Sequence, residues 1–234
     1  MTIAEKLENI ADRIPIVYYE GRQSHWNEFW DDFQDLGNRV LYNNAYQNAW
    51  SDVTFKPKYT MRPTSAGYMF AGTKIADIKG CLESCGVELD LSKATSIDRV
   101  FSDAPNLTHL PKISTVSAPH LQNFVYNCKK LISIEEIVLK SDGTQTFTDN
   151  SFKSCENLRE IRFSGVIGSS LNVQWSKKLS AESYNSIFTA LSNKSTGGKL
   201  TVASEAVDIF DAFYGANSWA MMVGARTNWS FTYA

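Results

Sequence analysis

Val125-Tyr-Asn-Cys128-Lys-Lys-Leu131-Ile-Ser-Ile134 and Phe152-Lys-Ser-Cys155-Glu-Asn-Leu158-Arg-Glu-Ile161 are one pattern written twice. A large apolar residue, a small residue and two aliphatics follow one another at spacings of three. The pattern recurs as Phe101-x2-Ala104-x2-Leu107-x2-Leu110, and more loosely as Met69-x2-Gly72-x2-Ile75-x2-Ile78. One long helix does not account for it, because each block is followed by turn residues and a short β-rich run. Units this short cannot bury their own apolar face and must stack on one another, which predicts a solenoid. The intervals between the small residues are 32, 24 and 27, so insertions of variable length separate the units. Such insertions commonly gather on one face of a repeat scaffold and carry its binding surface.

The small slot, filled by Gly72, Ala104, Cys128 and Cys155, is where the chain turns inward and a neighbour packs close. The aliphatics that follow lead into a strand. In Leu158-Arg-Glu-Ile161-Arg-Phe163-Ser, period-2 alternation puts Ile161 and Phe163 on the inner face and leaves Arg159, Glu160 and Arg162 among the exposed residues. Leu131-Ile-Ser-Ile134-Glu-Glu-Ile137-Val-Leu139 serves the same purpose one unit earlier. The candidate binding face is therefore Arg159, Glu160, Arg162, Glu135 and Glu136. Leu110, Ile134 and Ile161 should form one buried ladder, and Leu107, Leu131 and Leu158 another. Cys128 and Cys155 share a slot on consecutive units, and the small apolar filling which that slot needs points to free thiols.

These blocks resemble the leucine-rich repeats of the BspA type, whose units read F-x-x-C-x-x-L-x-x-I. Phe29-Trp30-Asp-Asp-Phe33-Gln, Ala49-Trp50-Ser-Asp, Leu89-Asp-Leu-Ser-Lys-Ala-Thr95 and Trp175-Ser-Lys-Lys-Leu-Ser180 extend the resemblance to proteins encoded by phages and prophages of gut Firmicutes. Gly72 and Ala104 depart from the family's cysteine. The resemblance implies an α/β solenoid of short, irregular leucine-rich repeats, and a structural or recognition role in a phage tail or virion. It implies host cytoplasm as the place of assembly.

Composition bounds the alternatives. With 234 residues, 43% hydrophobic and 12% aromatic, the chain can bury a sizeable core. The net charge of -2, with no Lys/Arg stripe interleaved by aromatics, argues against nucleic acid as a partner. No apolar run reaches 18 residues, which argues against a membrane span. Met1-Thr-Ile-Ala-Glu-Lys-Leu-Glu lacks the basic and apolar regions of a secretory signal, so export by a signal peptide is not expected.

Four zones follow. Residues 1–20 carry Ile3, Leu7, Ile10, Ile14 and Val17 at spacings of four and three, behind a Thr2/Glu5 capping box. This seam packs on its own domain or makes a homo-oligomer. Residues 21–66 form an aromatic cap, starting with a helix from about Ser24 to Leu36. Residues 67–172 hold the repeats. Residues 173–234 form an α+β cap: a helix capped by Ser180, a strand at Leu200-Thr-Val202, a helix from Ser204 and a closing strand, Trp229-Ser-Phe231-Thr-Tyr233.

Catalysis has no support among the motifs: no nucleophile elbow, P-loop, dinucleotide fingerprint or H-E-x-x-H is present. His25, His109 and His120 lie far apart, and Cys81-x3-Cys85 has no second ligand pair. Asp31-Asp32 and Glu135-Glu136 read as solvated carboxylates, since neighbours on a strand point to opposite sides. No catalytic residue, cofactor or metal is expected. The leading expectation is a non-enzymatic virion protein that binds a protein or surface glycan, or other virion proteins, through its repeats. An intracellular inhibitor of a host protein and a bacterial surface adhesin are the other readings.

Overall fold

The computed structural model describes residues 59–61, 65–73, 75–84, 87–193 and 198–234. The Ile3–Val17 seam, the helix expected from Ser24, His25, Asp31, Asp32 and Cys85 lie outside them. Short parallel strands dominate. β1 (Tyr59–Met61) pairs with β2 (Val87–Leu89), and α1 (Ile78–Ser84) stands between them in sequence. β3 (His109–Ser114), β5 (Ser133–Val138) and β7 (Glu160–Ser164) form a three-stranded parallel sheet in that order. β4 (His120–Leu121) pairs with β6 (Thr146–Phe147) in a second, two-stranded parallel sheet.

The register explains the sequence pattern. Leu110 pairs with Ile134 and Ile134 with Ile161, and all three are buried. Leu107, Leu131 and Leu158 are fully buried one step earlier in their units. Each donates its N–H to the carbonyl of its own small slot, Ala104, Cys128 and Cys155, at 3.4, 3.0 and 3.2 Å. The residue ahead of each slot is left-handed: Asp103 at φ 55°, Asn127 at 59° and Ser154 at 61°. The residues that follow this kink, Ala104, Cys128 and Cys155, are fully buried. Cys128 and Cys155 are free and buried, and their thiols donate to the carbonyls of Phe101 and Val125 in the preceding unit, at 2.9 and 3.1 Å.

Burial pushes both thiols up, Cys128 to about 12 and Cys155 well above its usual value. Neither forms thiolate at neutral pH while the chain is folded. The folded protein at pH 8 is expected to leave both unmodified by a maleimide over the time in which a small free thiol reacts completely. In denaturant both should react at the free-thiol rate, and mass spectrometry of the labelled peptides checks this.

Backbone pairing corrects the first unit. Phe70, Phe101 and Val125 donate their N–H groups to Val100, Phe124 and Ser151 in the same relative position. Phe70 and buried Thr73 therefore occupy the large and small slots, in place of Met69 and Gly72. Gly72, at φ 69°, is the left-handed residue before the slot. One residue fewer then separates Thr73 from Ile75, which restores the expected positions of Ile75 and Ile78. Ile78 opens α1 instead of a strand: the unit contributes only the bridge Asp77↔His109 before coiling.

The row also continues past residue 172. Val173, Ser176 and Leu179 are buried, Ser176 N–H bonds Val173 O, and Leu179 N–H bonds Ser176 O at 3.1 Å. Ser176 takes the small slot, and its hydroxyl donates to Cys155 O at 3.3 Å. The chain then enters α2 (Ala181–Ala190), whose N-cap is Ser180 as expected, with the side chain accepting from Ser183 N. β8 (Leu171–Asn172), β9 (Lys199–Val202) and β10 (Ser230–Tyr233) make a parallel sheet in the order β10-β9-β8. α3 (Ala206–Tyr214) starts later than Ser204, behind Glu205, which makes no side-chain cap bond. α4 (Ser218–Gly224) is an additional helix. Phe188, Phe210 and Trp219 pack edge to face with centroids 4.9 to 5.8 Å apart, closing the core over α2.

Candidate binding face

The strands β3, β5 and β7 present one side to the core and the other to solvent. On the core side lie Leu110 and Ile113, Ile134 and Ile137, and Ile161 and Phe163. On the outer side stand His109, Lys112, Glu135, Glu160 and Arg162, all exposed, together with Ser133 and Glu136, which are half-buried. Arg159, just before β7, is exposed as well.

The core positions of β3 and β5 are three residues apart, whereas those of β7 are two apart. β5 thus carries one extra residue against β7, between Ile134 and Ile137. This bulge corrects the expectation that Glu135 and Glu136 point to opposite sides. Neither is buried, because the extra residue keeps both between two core positions.

Adjacent strands link the outer residues in rows. Lys112 pairs with Glu136 across β3 and β5, with Nζ to Oε2 at 2.8 Å. Ser164 donates its hydroxyl to Glu136 Oε1 at 2.5 Å, so both oxygens of this carboxylate are engaged. The Lys112 and Ser164 hydrogen bonds hold Glu136 below the ordinary carboxylate range, with Lys112 the larger cause and the Arg162 charge adding to it. Among the described residues Arg159 and Arg162 have no ion-pair partner. A second row runs through His109, whose Nδ1 lies 2.7 Å from Ser133 Oγ. His120 repeats the arrangement on β4, 2.6 Å from Thr146 Oγ1. Both histidines are thus ladder residues, each held by a hydroxyl of the next unit. Among the described residues no cluster of three His, Cys, Asp or Glu side chains is arranged to hold a metal ion.

Glu136 fixes a pH dependence. Its folded pKa is lowered, so its contribution to stability is present above the normal carboxylate range and is lost as pH falls through the folded value. Because Lys112 is largely solvated, with 59% of its side chain exposed, the contribution should be no more than about 1 kcal/mol. Glu136→Gln should lower the urea midpoint at pH 7, and the gap to the unaltered protein should vanish at acid pH. A gap that persists in acid contradicts the assignment.

The sequence singled out Arg159, Glu160, Arg162, Glu135 and Glu136; the sheet leaves Glu160, Arg162, Glu135 and Glu136 outside the core, and Arg159 is exposed just before β7. The sheet adds Lys112, His109 and Ser133, which single-strand alternation in β7 did not reach. The Phe101 unit held the signal for Lys112, since Leu110-Pro-Lys-Ile113 has the same three-residue spacing as Ile134-Glu-Glu-Ile137. Ile132, 38% exposed, is the large apolar residue beside this face. Among the described residues no helix is long and apolar enough to cross a membrane. No family model, no curated protein and no solved structure matches the chain.

Proposed function

We propose that this chain is a non-enzymatic leucine-rich repeat protein of the BspA type, an α/β solenoid that binds a protein partner through the outer face of β3, β5 and β7. The observation carrying this reading is that face itself. An apolar inner side, in register from unit to unit, backs an outer side that carries paired and unpaired charges in rows. Three cations, Lys112, Arg159 and Arg162, stand beside three carboxylates, Glu135, Glu136 and Glu160. A balanced, mixed-sign surface suits protein recognition, in which charges set register and orientation, better than it suits a polyanion. The resemblance to phage and prophage proteins supports a virion component as the partner, with the tail as the leading position and the host cytoplasm as the place of assembly.

Arg159 and Arg162 are the cations of this face without an ion-pair partner among the described residues. Arg159→Glu/Arg162→Glu should leave the fold intact and reduce capture of a specific partner from virion or host-cell extracts at least about tenfold. The two immobilised proteins should be compared side by side by quantitative mass spectrometry, with circular dichroism as the control for folding. A partner retained equally by both forms would remove this face from recognition. Detection of the protein by antibody in purified particles, against the soluble fraction of the host, tests the virion assignment separately.

A further inference from the structure

β7 is the last strand of its sheet, yet its outward edge is not bare. An edge strand offers unpaired N–H and C=O groups to any other strand, so proteins cover such edges. Here the chain reaches the position of the next strand and forms a helix instead. The row of hydrogen bonds preceding the strands runs without a break from Thr108 N–H to Ala76 O, Ile132 N–H to Thr108 O, Arg159 N–H to Ile132 O and Ser180 N–H to Arg159 O. Val173, Ser176 and Leu179 have already placed the fifth unit in register. Ser180 then caps α2 where a strand would begin.

Two serines of that helix meet the free edge. Ser183 Oγ accepts the Ile161 N–H at 2.9 Å and donates to Arg159 O at 3.3 Å. Ser186 Oγ accepts the Phe163 N–H at 2.9 Å, with Phe163 O at 3.5 Å. Spaced by three, they lie on one face of the helix, while Ile161 and Phe163, spaced by two, lie along one edge of the strand. A hydroxyl both accepts and donates, so each serine replaces the backbone group a neighbouring strand would have supplied.

We propose that Ser183 and Ser186 are hydrogen-bond surrogates for a missing strand, and that they make α2 a terminator which keeps β7 from pairing with a second copy of this chain. A second copy is the occupant to exclude because its strands carry the same register and side-chain rows as β7's own neighbours. The inference concerns the edge of the sheet and does not depend on the partner proposed for its outer face.

Amide hydrogen exchange of the full chain, resolved by NMR, tests it. Ser183→Ala should speed exchange of Ile161 about tenfold and leave Phe163 nearly unchanged, while Ser186→Ala should do the reverse. The Ile134 and Ile137 amides in β5 serve as reference for any general loss of stability. Ser183→Thr, which keeps the hydroxyl, should restore protection of Ile161. Ser183→Ala/Ser186→Ala should raise the sedimentation-derived mass of the chain above that of the unaltered protein at equal concentration. Equal acceleration at all four amides, or none, overturns the surrogate role. Deprotection of both edge amides with no gain in mass overturns the terminator.

Discussion

Leu158→Ala should destabilise the folded chain by about 2–5 kcal/mol. The side chain is wholly buried, and its N–H is fixed to Cys155 O at 3.2 Å, so the backbone at this corner cannot follow a shrinking side chain inward. The units on either side hold their own leucines, Leu131 and Leu179, at equivalent buried positions, and each is tied to its slot in the same way. A cavity here is therefore bounded by elements that cannot collapse separately, which moves the loss toward the upper part of the range. Ile132→Ala is the matching control, one residue after Leu131 and 38% exposed; it should lose less than about 1 kcal/mol. Urea denaturation of both variants at constant slope gives the comparison. A Leu158→Ala loss below about half a kcal/mol would mean that the leucine row is not what holds neighbouring units together.

Period-three spacing made the inner face legible because it records a backbone kink. A left-handed residue ahead of the slot recurs at Asp103, Asn127 and Ser154, and the aliphatics after it fall into register whatever the length of the insertion between units. The first unit misled for the same reason. Gly72 is small because it is the left-handed residue, and the deletion of one position before Ile75 made the motif seem intact when it was shifted by one.

The fifth unit was hidden by Ser176, a polar residue in an apolar pattern. Its hydroxyl is satisfied by Cys155 O, so a serine fits where the thiols fit. The helix at Ser180 was legible from its capping serine, whereas the one that replaces a strand in the first unit was harder to foresee, since Ile78 follows the same spacing as Leu110, Ile134 and Ile161, which lie in strands. What decides there is local: Asp77 Oδ1 accepts Gly80 N–H at the start of α1, and Ser180 accepts Ser183 N–H at the start of α2. α4 has a comparable device, in which the Asp211 carboxylate accepts the Asn217 and Trp219 N–H groups, a contact between residues too far apart to show as a capping motif. On the outer face, charge and exposure were legible one strand at a time. The pairing of Lys112 with Glu136 and of His109 with Ser133 needs the lateral register, which a single strand does not contain.

One substitution should act in opposite directions at two glycines. Gly165→Ala, just after β7, is expected to destabilise by on the order of 3 kcal/mol. Its φ of 84° is one that an L side chain rarely adopts, and an added Cβ would lie far inside van der Waals contact of the Leu139 carbonyl oxygen. Neither strand end can yield, because Leu139 N–H bonds Ser164 O at 2.8 Å and Val166 N–H bonds Lys140 O at 3.0 Å, clamping the two backbones on both sides of the approach. Gly224, the last residue of α4, has open space where its Cβ would stand and no left-handed φ. There alanine restricts the unfolded chain and favours the helix, so Gly224→Ala should stabilise by about 0.5–1 kcal/mol. Thermal and urea unfolding of the two variants should move the midpoints apart in opposite senses. A Gly165→Ala protein as stable as the unaltered chain would mean that β7 and the turn after Leu139 do not meet backbone to backbone.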